Sequence, residues 1–166
     1  MVTIVAAKTD KHMQDFRLLA REFVAWAMST FHPDQTASPA VIANLDQELS
    51  ALPRKYLAPE GGLYIAYCEG EAAGCVVGFK SEGGAFEVTR FWVRPDDRGK
   101  GVGDKLVDAL LKSASRAGYK RSVLRSRKEM ISAHKIYRRA GFVDFAGDTE
   151  FLNFEGDEVA MQRDFG

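Results

Sequence analysis

The sequence predicts an α+β fold in which four helices flank a seven-stranded, mostly antiparallel sheet. Three apolar, β-rich segments at residues 62–70, 72–80 and 85–94 are joined by turns short enough for hairpins, so they form an antiparallel meander. The third segment leads through a glycine-rich turn into a helix and then into a strand at residues 121–126. That order requires a parallel βαβ crossover within the sheet.

The chain begins with a weakly alternating strand at residues 3–8, and Thr9 or Asp10 can cap the helix that follows. Apolar residues recur at helical spacing through residues 13–28. We therefore expect one stripe of this helix to face the core, namely Phe16, Leu19, Ala20, Phe23 and Ala27.

A second helix is expected after the breaker "FHPDQTASP", with Ser38 as N-cap, Pro39 as its first residue and Pro53 at its end. Its apolar positions are Val41, Ile42, Leu45, Leu49 and Leu52.

The first hairpin is expected to turn at Gly70-Glu71. Cys75 would then face Ala66 rather than Cys68 across the two strands, so we expect packed thiols and neither a disulfide nor a metal site.

Two helices and two strands complete the chain, and each helix ends at a glycine that fits the C′ position. They are a helix at residues 100–117 before Gly118, a helix at residues 129–140 before Gly141, and strands at residues 142–146 and 158–165. No repeat or linker divides the chain, so we expect residues 1–166 to form a single domain.

The composition is that of a soluble globular protein: of 166 residues, 46% are hydrophobic, and 23 acidic side chains balance 23 basic ones. No apolar run approaches the roughly 20 residues that span a bilayer, and the N-terminal apolar stretch is too short for a secretory signal. We therefore expect a cytoplasmic protein with no membrane partner.

The charges are distributed unevenly. Residues 112–139 contain ten Lys and Arg against Glu129 alone, whereas residues 144–166 contain seven acids against Arg163 alone. The basic segment can lie near a bound polyanion and the acidic one can attract a cation, although both can also be solvated faces. No nucleic-acid-binding motif accompanies these charges, so no nucleic-acid partner is expected.

The stretch "RPDDRGKGVGDKL" places Gly99, Gly101 and Gly103 directly before a helix. The first N–H groups of a helix lack partners and carry the positive end of its dipole, and a loop without Cβ atoms lets phosphate oxygens approach them. Arg98 and Lys100 add charge at the mouth of this loop. The pattern favours a diphosphate ligand, with a ligand-free glycine turn as the alternative.

Two common diphosphate motifs are excluded. The GxxxxGK[ST] spacing of a Walker loop does not occur, and Leu106 stands where the last glycine of a dinucleotide-binding GxGxxG would fall.

The segment "RGKGVG", which follows "FWVRP", resembles the Q/R-x-x-G-x-G/A motif of the GNAT acyltransferase superfamily. The resemblance extends through "EVTRFWVRPDDRGKGVGDKLVDALLKSASRAGYKRSVL" and "SAHKIYRRAGF", and upstream to "LSALPRKYLAPEGGLYIAY", so that it covers nearly all of residues 49–145. It implies a GNAT-like sheet with acetyl-CoA as cosubstrate and no metal.

The resemblance further implies which residues hold acetyl-CoA. Its pantetheine arm would pair with Phe91 and Val93 where the fourth and fifth strands separate, and a bulge near Arg90 would expose the strand edge that such an arm needs. Its pyrophosphate would lie on the backbone amides of Arg98, Gly99, Lys100, Gly101, Val102 and Gly103.

Glu87 is the candidate general base, because it lies six residues before Val93, where several family members carry a catalytic glutamate. Its apolar neighbours in "AFEVTRFW" would raise its pKa. The alternative is an ordinary strand glutamate that faces solvent. The family also suggests that the N–H of Val93 or of Phe91 stabilises the oxyanion.

Tyr137 is the candidate general acid for the departing thiolate, because it stands five residues before Phe142, where the family's tyrosine falls. Core packing is the alternative for a tyrosine at helical spacing. Met130 replaces an asparagine that contacts the cofactor in many relatives, so that contact is not carried over. His134 is expected to be a packed or exposed imidazole.

The function implied is acetyl-CoA-dependent transfer of an acetyl group to a primary amine of a small molecule or peptide, by direct attack in a ternary complex. A catalytically silent module that binds acyl-CoA as a sensor or regulator is the alternative. Family members often pair as homodimers, although no feature of this sequence requires it.

The first two helices and the loop "GDTEFLNFEGD" would wall the acceptor pocket. Acidic residues of this loop could draw in a cationic amine or could simply be solvated: Asp148, Glu150, Glu155 and Asp157.

Overall fold

The computed structural model describes residues 1–31, 33, 39–50, 54–145 and 158–166. In chain order, the elements of the described residues are β1 Val2–Ala6, α1 Asp10–Phe31, α2 Pro39–Ser50, β2 Gly62–Cys68, β3 Glu71–Lys80, β4 Phe86–Val93, α3 Val102–Arg116, β5 Arg121–Arg127, α4 Ile131–Arg139, β6 Val143–Asp144 and β7 Glu158–Asp164. Short 3₁₀ helices at Arg54–Tyr56 and Pro95–Asp97 precede β2 and the glycine loop.

The seven strands form one sheet in the order β1-β2-β3-β4-β5-β7-β6. Every neighbouring pair is antiparallel except β4 and β5, which run parallel with α3 as the crossover between them. The predicted fold class is therefore confirmed.

Local sequence signals set the helix ends. The hydroxyl of Thr9 accepts a hydrogen bond from the N–H of His12 at 3.1 Å, which makes Thr9 the cap of α1. Gly118 and Gly141 follow α3 and α4 with φ values of +94° and +96°, as expected of C′ glycines.

The first hairpin differs from the prediction. Its turn residues are Glu69 and Gly70, both with positive φ, so that Glu71 already belongs to β3. A two-residue turn with positive φ at both positions matches the twist of the flanking strands. With this turn and an irregularity after Ala66, Cys75 lies opposite Ile65 rather than Ala66, and both cysteines are free thiols.

Alternate residues of the strands face two separate cores. Ala66 and Val76 lie in a core with the apolar face of α3, whereas their neighbours Ile65 and Val77 lie in a core with α1 and α2. The sheet is therefore covered by α1 and α2 on one face and by α3 on the other.

Only part of the apolar stripe predicted for α1 lies in the core. Phe16, Leu19 and Ala20 are buried, whereas Phe23 and Ala27 line a cavity. In α2, Leu45 and Leu49 are buried as predicted. The predictions for Ser38, Leu52 and Pro53, and for the side chains of Val41 and Ile42, lie outside the described residues.

Candidate active site

The parallel strands β4 and β5 separate part of the way along the sheet. They pair only from Phe86–Ser122 to Val88–Leu124, after which β5 continues along β7 alone. At the same level β4 bulges against β3, because Thr89 pairs with Val77 and Trp92 with Cys75. Arg90 within the bulge has a φ of +50°, so the bulge predicted near this residue is confirmed.

The bulge leaves backbone groups of β4 directed into the gap. The N–H of Arg94 donates to the carbonyl oxygen of Ala73 in β3 at 2.8 Å. Successive residues of a strand turn their N–H groups to opposite sides, so the N–H of Val93 points away from β3, towards the place that β5 has left.

Two glycines of the loop after β4 need a left-handed backbone. Gly99 and Gly101 have φ values of +80° and +79°, and a Cβ at either position would meet nothing within 4 Å. Their surroundings are therefore open, and it is the backbone conformation that favours glycine.

Gly103 is required for a different reason. A Cβ there would lie 2.7 Å from the Ile136 side chain and 2.9 Å from the ring of Phe91. This glycine therefore lets α3 pack closely against α4 and β4.

The backbone amides at this corner are largely unused. The first helical hydrogen bond of α3 runs from Lys105 N–H to Gly101 O at 3.2 Å, so the amides of Val102, Gly103 and Asp104 precede it and point out of the helix end. The Arg98 amide, by contrast, donates to Pro95 O at 3.3 Å.

One of the two basic side chains of the loop, that of Arg98, is placed differently from the prediction. Arg98 turns inward, with its guanidinium carbon 5.3 Å from the ring centroid of Trp26 and 5.1 Å from that of Trp92. Lys100 lies 3.0 Å from the carboxylate of Asp97. Cation–π packing on two aromatic rings, which lie on α1 and β4, keeps the Arg98 charge away from the mouth of the loop.

Two adjoining cavities occupy the gap. One, of about 540 Å³, runs along the glycine loop and is lined by Val93, Gly101 and Gly103 among others. The second, of about 510 Å³, lies between β4, β5 and α1 and is lined by Glu87 and Tyr137 among others. Phe91 and Met130 line both cavities, which therefore adjoin. Every predicted site residue except Lys100 lines one of the two.

Glu87 is not a solvent-facing glutamate. Its side chain is 12% exposed, and the nearest cation is the Nε of Arg125, 3.9 Å away. Burial raises the pKa of Glu87, while Arg125 and Lys55 oppose this shift. The carboxyl therefore has the environment expected of a general base.

Tyr137 is both packed and directed at the cleft. The residue is 6% exposed, with its ring centroid 5.6 Å from that of Phe91 and 5.9 Å from that of Phe142. Burial alone raises the pKa of its hydroxyl, which has no hydrogen-bond partner among the described residues. The hydroxyl therefore keeps its proton at neutral pH.

His134 of α4 packs against Ser126 of β5. His134 Nε2 lies 3.0 Å from Ser126 Oγ, and burial lowers the pKa of this imidazole, so His134 is the packed residue that one of the two expectations described.

Sequence reasoning missed several cavity residues. Phe31 of α1 and the pair Arg125 and Arg127 of β5 line the second cavity. The alternation of the two arginines with Ser126 would have placed them on one face of the strand. The acidic loop predicted to attract the acceptor lies outside the described residues.

The described residues offer neither a membrane-spanning helix nor a cluster of metal-ligating side chains. None of their helices has the length and apolar character needed to cross a membrane. Their His, Cys, Asp and Glu side chains form no group of three that could hold a metal ion.

Comparison with known proteins agrees with this geometry. The model of the GNAT acetyltransferase family matches residues 20–142. An uncharacterized N-acetyltransferase of Schizosaccharomyces pombe is 32% identical over 143 residues, which cover 85% of this chain and 82% of that protein.

Solved structures share the fold. A GNAT-family acetyltransferase from Staphylococcus aureus superposes with a TM-score of 0.74 at 14% identity, over 99% of both chains. The PaiA N-acetyltransferase from Thermoplasma acidophilum, in complex with coenzyme A, superposes with the same TM-score and identity over 99% of both chains. With a family model that spans most of its length and a relative matched over most of both sequences, this chain belongs to the GNAT acetyltransferase family.

Proposed function

We propose that the protein is an acetyl-CoA-dependent N-acetyltransferase that acts on a primary amine of a small molecule or peptide. The observation that carries this proposal is the open glycine loop, in which unused amides surround Gly99 and Gly101 at the start of α3, beside the gap in the sheet. The S. pombe relative is named an N-acetyltransferase, and the T. acidophilum structure contains coenzyme A.

The residues of the cleft fit coenzyme A in two ways. A diphosphate needs several N–H donors and close approach to the backbone, which the amides from Gly99 to Asp104 offer. An extended arm that contains amides needs a strand edge, which the N–H of Val93 offers. We therefore place the pyrophosphate and the pantetheine arm at these two positions.

Acetyl-CoA supplies an acetyl group on a thioester, which an uncharged amine can attack. Amines carry a proton at neutral pH, since their pKa is about 10. Glu87 removes this proton, directly or through one water, and its raised pKa brings it closer to the operating pH.

Two further groups of the chain act on the developing charges. The N–H of Val93 or of Phe91 donates a hydrogen bond to the carbonyl oxygen as negative charge forms there, while the other of the two pairs with the pantetheine arm. Tyr137 lines the second cavity beside Phe91, which lines both cavities, and donates its retained proton to the departing sulfur.

Direct attack is favoured over a covalent acyl-enzyme. The two cavities adjoin, so donor and acceptor can be bound together. Burial raises the pKa of Cys75 to about 12, which leaves almost no thiolate at neutral pH.

The experiment is a thiol-release assay with acetyl-CoA and four acceptor classes: amino acids, polyamines, aminoglycosides and peptides with free N-termini. Isothermal titration with coenzyme A accompanies it. Amine-dependent thiol release supports the transferase. Tight binding without release for every acceptor would instead support the silent acyl-CoA sensor, and absence of binding would contradict both.

A further inference from the structure

The cavity between β4, β5 and α1 contains an unusual cross-strand pair. Arg127 of β5 lies directly opposite Glu158 of β7, and both side chains line the cavity. The Nε of Arg127 and the Oε2 of Glu158 are buried, yet neither has a hydrogen-bond partner among the residues that the structure describes. Buried polar atoms are nearly always hydrogen-bonded in folded proteins, so this donor and this acceptor point to a ligand that supplies both missing partners.

The ion pair of Arg127 is long. Its Nε lies 3.6 Å from the carboxylate of Glu129, whereas Arg90 and Glu48 are 2.6 Å apart. A charge-assisted hydrogen bond is shorter than 3 Å, so this long pair leaves the Arg127 guanidinium able to bind an anionic group.

One side of the cavity is apolar. Phe23, Ala27 and Phe31 of α1 line the cavity together with Met130. The guanidinium carbon of Arg127 lies 4.5 Å from the ring centroid of Phe31, a cation–π contact that holds the guanidinium beside this apolar side. A polyamine or an aminoglycoside would place polar groups against these rings.

We infer that the acetyl acceptor is a free amino acid with an apolar side chain, and that Arg127 binds its carboxylate. Glu158 accepts a hydrogen bond from the ammonium group before Glu87 takes the proton, and the side chain lies against Phe23 and Phe31. This inference rests on the proposed acetyltransferase function. It makes Arg127 the residue that discriminates amino acids from simple amines.

The first test uses the wild-type protein and matched acceptors. Phenylalanine, phenylalaninamide and phenethylamine share one side chain and differ only in the carboxylate, as do leucine, leucinamide and isoamylamine. We expect kcat/KM to fall about 10- to 100-fold from each amino acid to its amide and its amine, as for loss of a charge-assisted hydrogen bond. Equal or faster turnover of the amines would overturn the inference and leave the acetyltransferase function standing.

The second test is Arg127→Met, which keeps the aliphatic stem. We expect a raised KM for phenylalanine with little change for phenethylamine, so that the preference for the acid disappears. Arg121→Met is the matched control, because Arg121 also lies on β5 but pairs with Asp164 away from the cavity. A preference for the acid that survives in Arg127→Met would overturn the assignment of Arg127.

The wild-type series decides the question even if Arg127→Met does not fold. Absence of thiol release with every acceptor would overturn the proposed function, and the inference with it. The two failures are therefore distinguishable.

Discussion

The Nε of Arg98 donates a hydrogen bond to the carbonyl oxygen of Val93 at 3.0 Å. This bond ties the residue before the first loop glycine back to the end of β4. The same guanidinium packs on Trp26 and Trp92, so α1 also holds the corner. The strand edge and the amide loop that we assign to coenzyme A are thereby fixed relative to each other by one side chain.

Replacing Arg98 should therefore weaken cosubstrate binding indirectly. Its guanidinium positions the loop and does not itself pair with the phosphates. We expect Arg98→Met to lower the affinity for coenzyme A about tenfold, as for loss of one hydrogen bond from a charged group. Isothermal titration measures this. Arg94→Met is the control, because Arg94 contacts Glu22 and Ala72 but not the loop. An unchanged affinity in Arg98→Met would show that the corner is held by other contacts.

Gly101→Asp should abolish coenzyme A binding, because a carboxylate would lie among the amides to which we assign the phosphates and would repel those phosphates. The left-handed backbone adds a strain of about 1–2 kcal/mol for a residue with a Cβ. Calorimetric titration checks the loss of binding.

Gly84→Asp is the matched control for this substitution. Gly84 has a φ of +83° and open surroundings, but it lies before β4, at the far end of that strand from the loop. It should show comparable destabilisation with normal binding. Tight binding by Gly101→Asp would exclude the proposed phosphate site.

Tyr137→Phe should lower kcat about 100-fold or more while leaving the affinity for coenzyme A nearly unchanged. The phenyl ring preserves the packing against Phe91 and Phe142, and only the proton donor is lost. Tyr119→Phe is the control, since it removes a hydroxyl that donates to Glu60 O and costs about 1 kcal/mol of stability without touching the cleft. A normal kcat in Tyr137→Phe would remove this residue from the mechanism.

The pH dependence of kcat/KM should identify Glu87. Because its pKa is raised by burial, the acid limb of the profile should lie above the usual range of a glutamate. Glu87→Gln should lower kcat/KM by about 10²- to 10⁴-fold and remove this limb. Glu71→Gln, at an exposed position of β3, should retain the wild-type profile. A profile that keeps its limb in Glu87→Gln would assign the titration to another group.

Glu87→Gln should stabilise the folded protein at neutral pH, although it lowers catalytic activity. A raised pKa means that the folded state binds this proton more tightly than the unfolded state, so stability from Glu87 is lost as pH rises through the folded pKa. Glu87→Gln should therefore raise Tm at neutral pH, and the gain should shrink towards pH 4. A lowered Tm at neutral pH would mean that the carboxylate stabilises the fold.

Sequence reasoning succeeded where the signal is local. The cap at Thr9, the C′ glycines and the loop around Gly101 depend on residues within one turn of each other. The first hairpin was misplaced by one residue because Glu69 adopts a positive φ, which sequence preferences assign to glycine.

The remaining features depend on distant residues. Arg98 packs on Trp26, which belongs to α1. Arg127 lies opposite Glu158 because β5 pairs with β7 and not with β6, the strand that is closer in sequence. Such contacts follow from the order of the strands in the sheet. The sequence predicted seven strands with one parallel crossover, but it did not predict that β7 lies between β5 and β6.

The short pairing between β4 and β5 has a mechanical consequence. Only three residue pairs join β4 to β5. The sheet therefore consists of a four-stranded part and a three-stranded part that are connected by a short stretch of pairing. A pantetheine arm bound in the gap would extend the sheet along the free edge of β4 and form one wall of the acceptor cavity. The fold would then require ordered substrate binding, because the acetyl donor must bind first to complete the cavity that holds the acceptor.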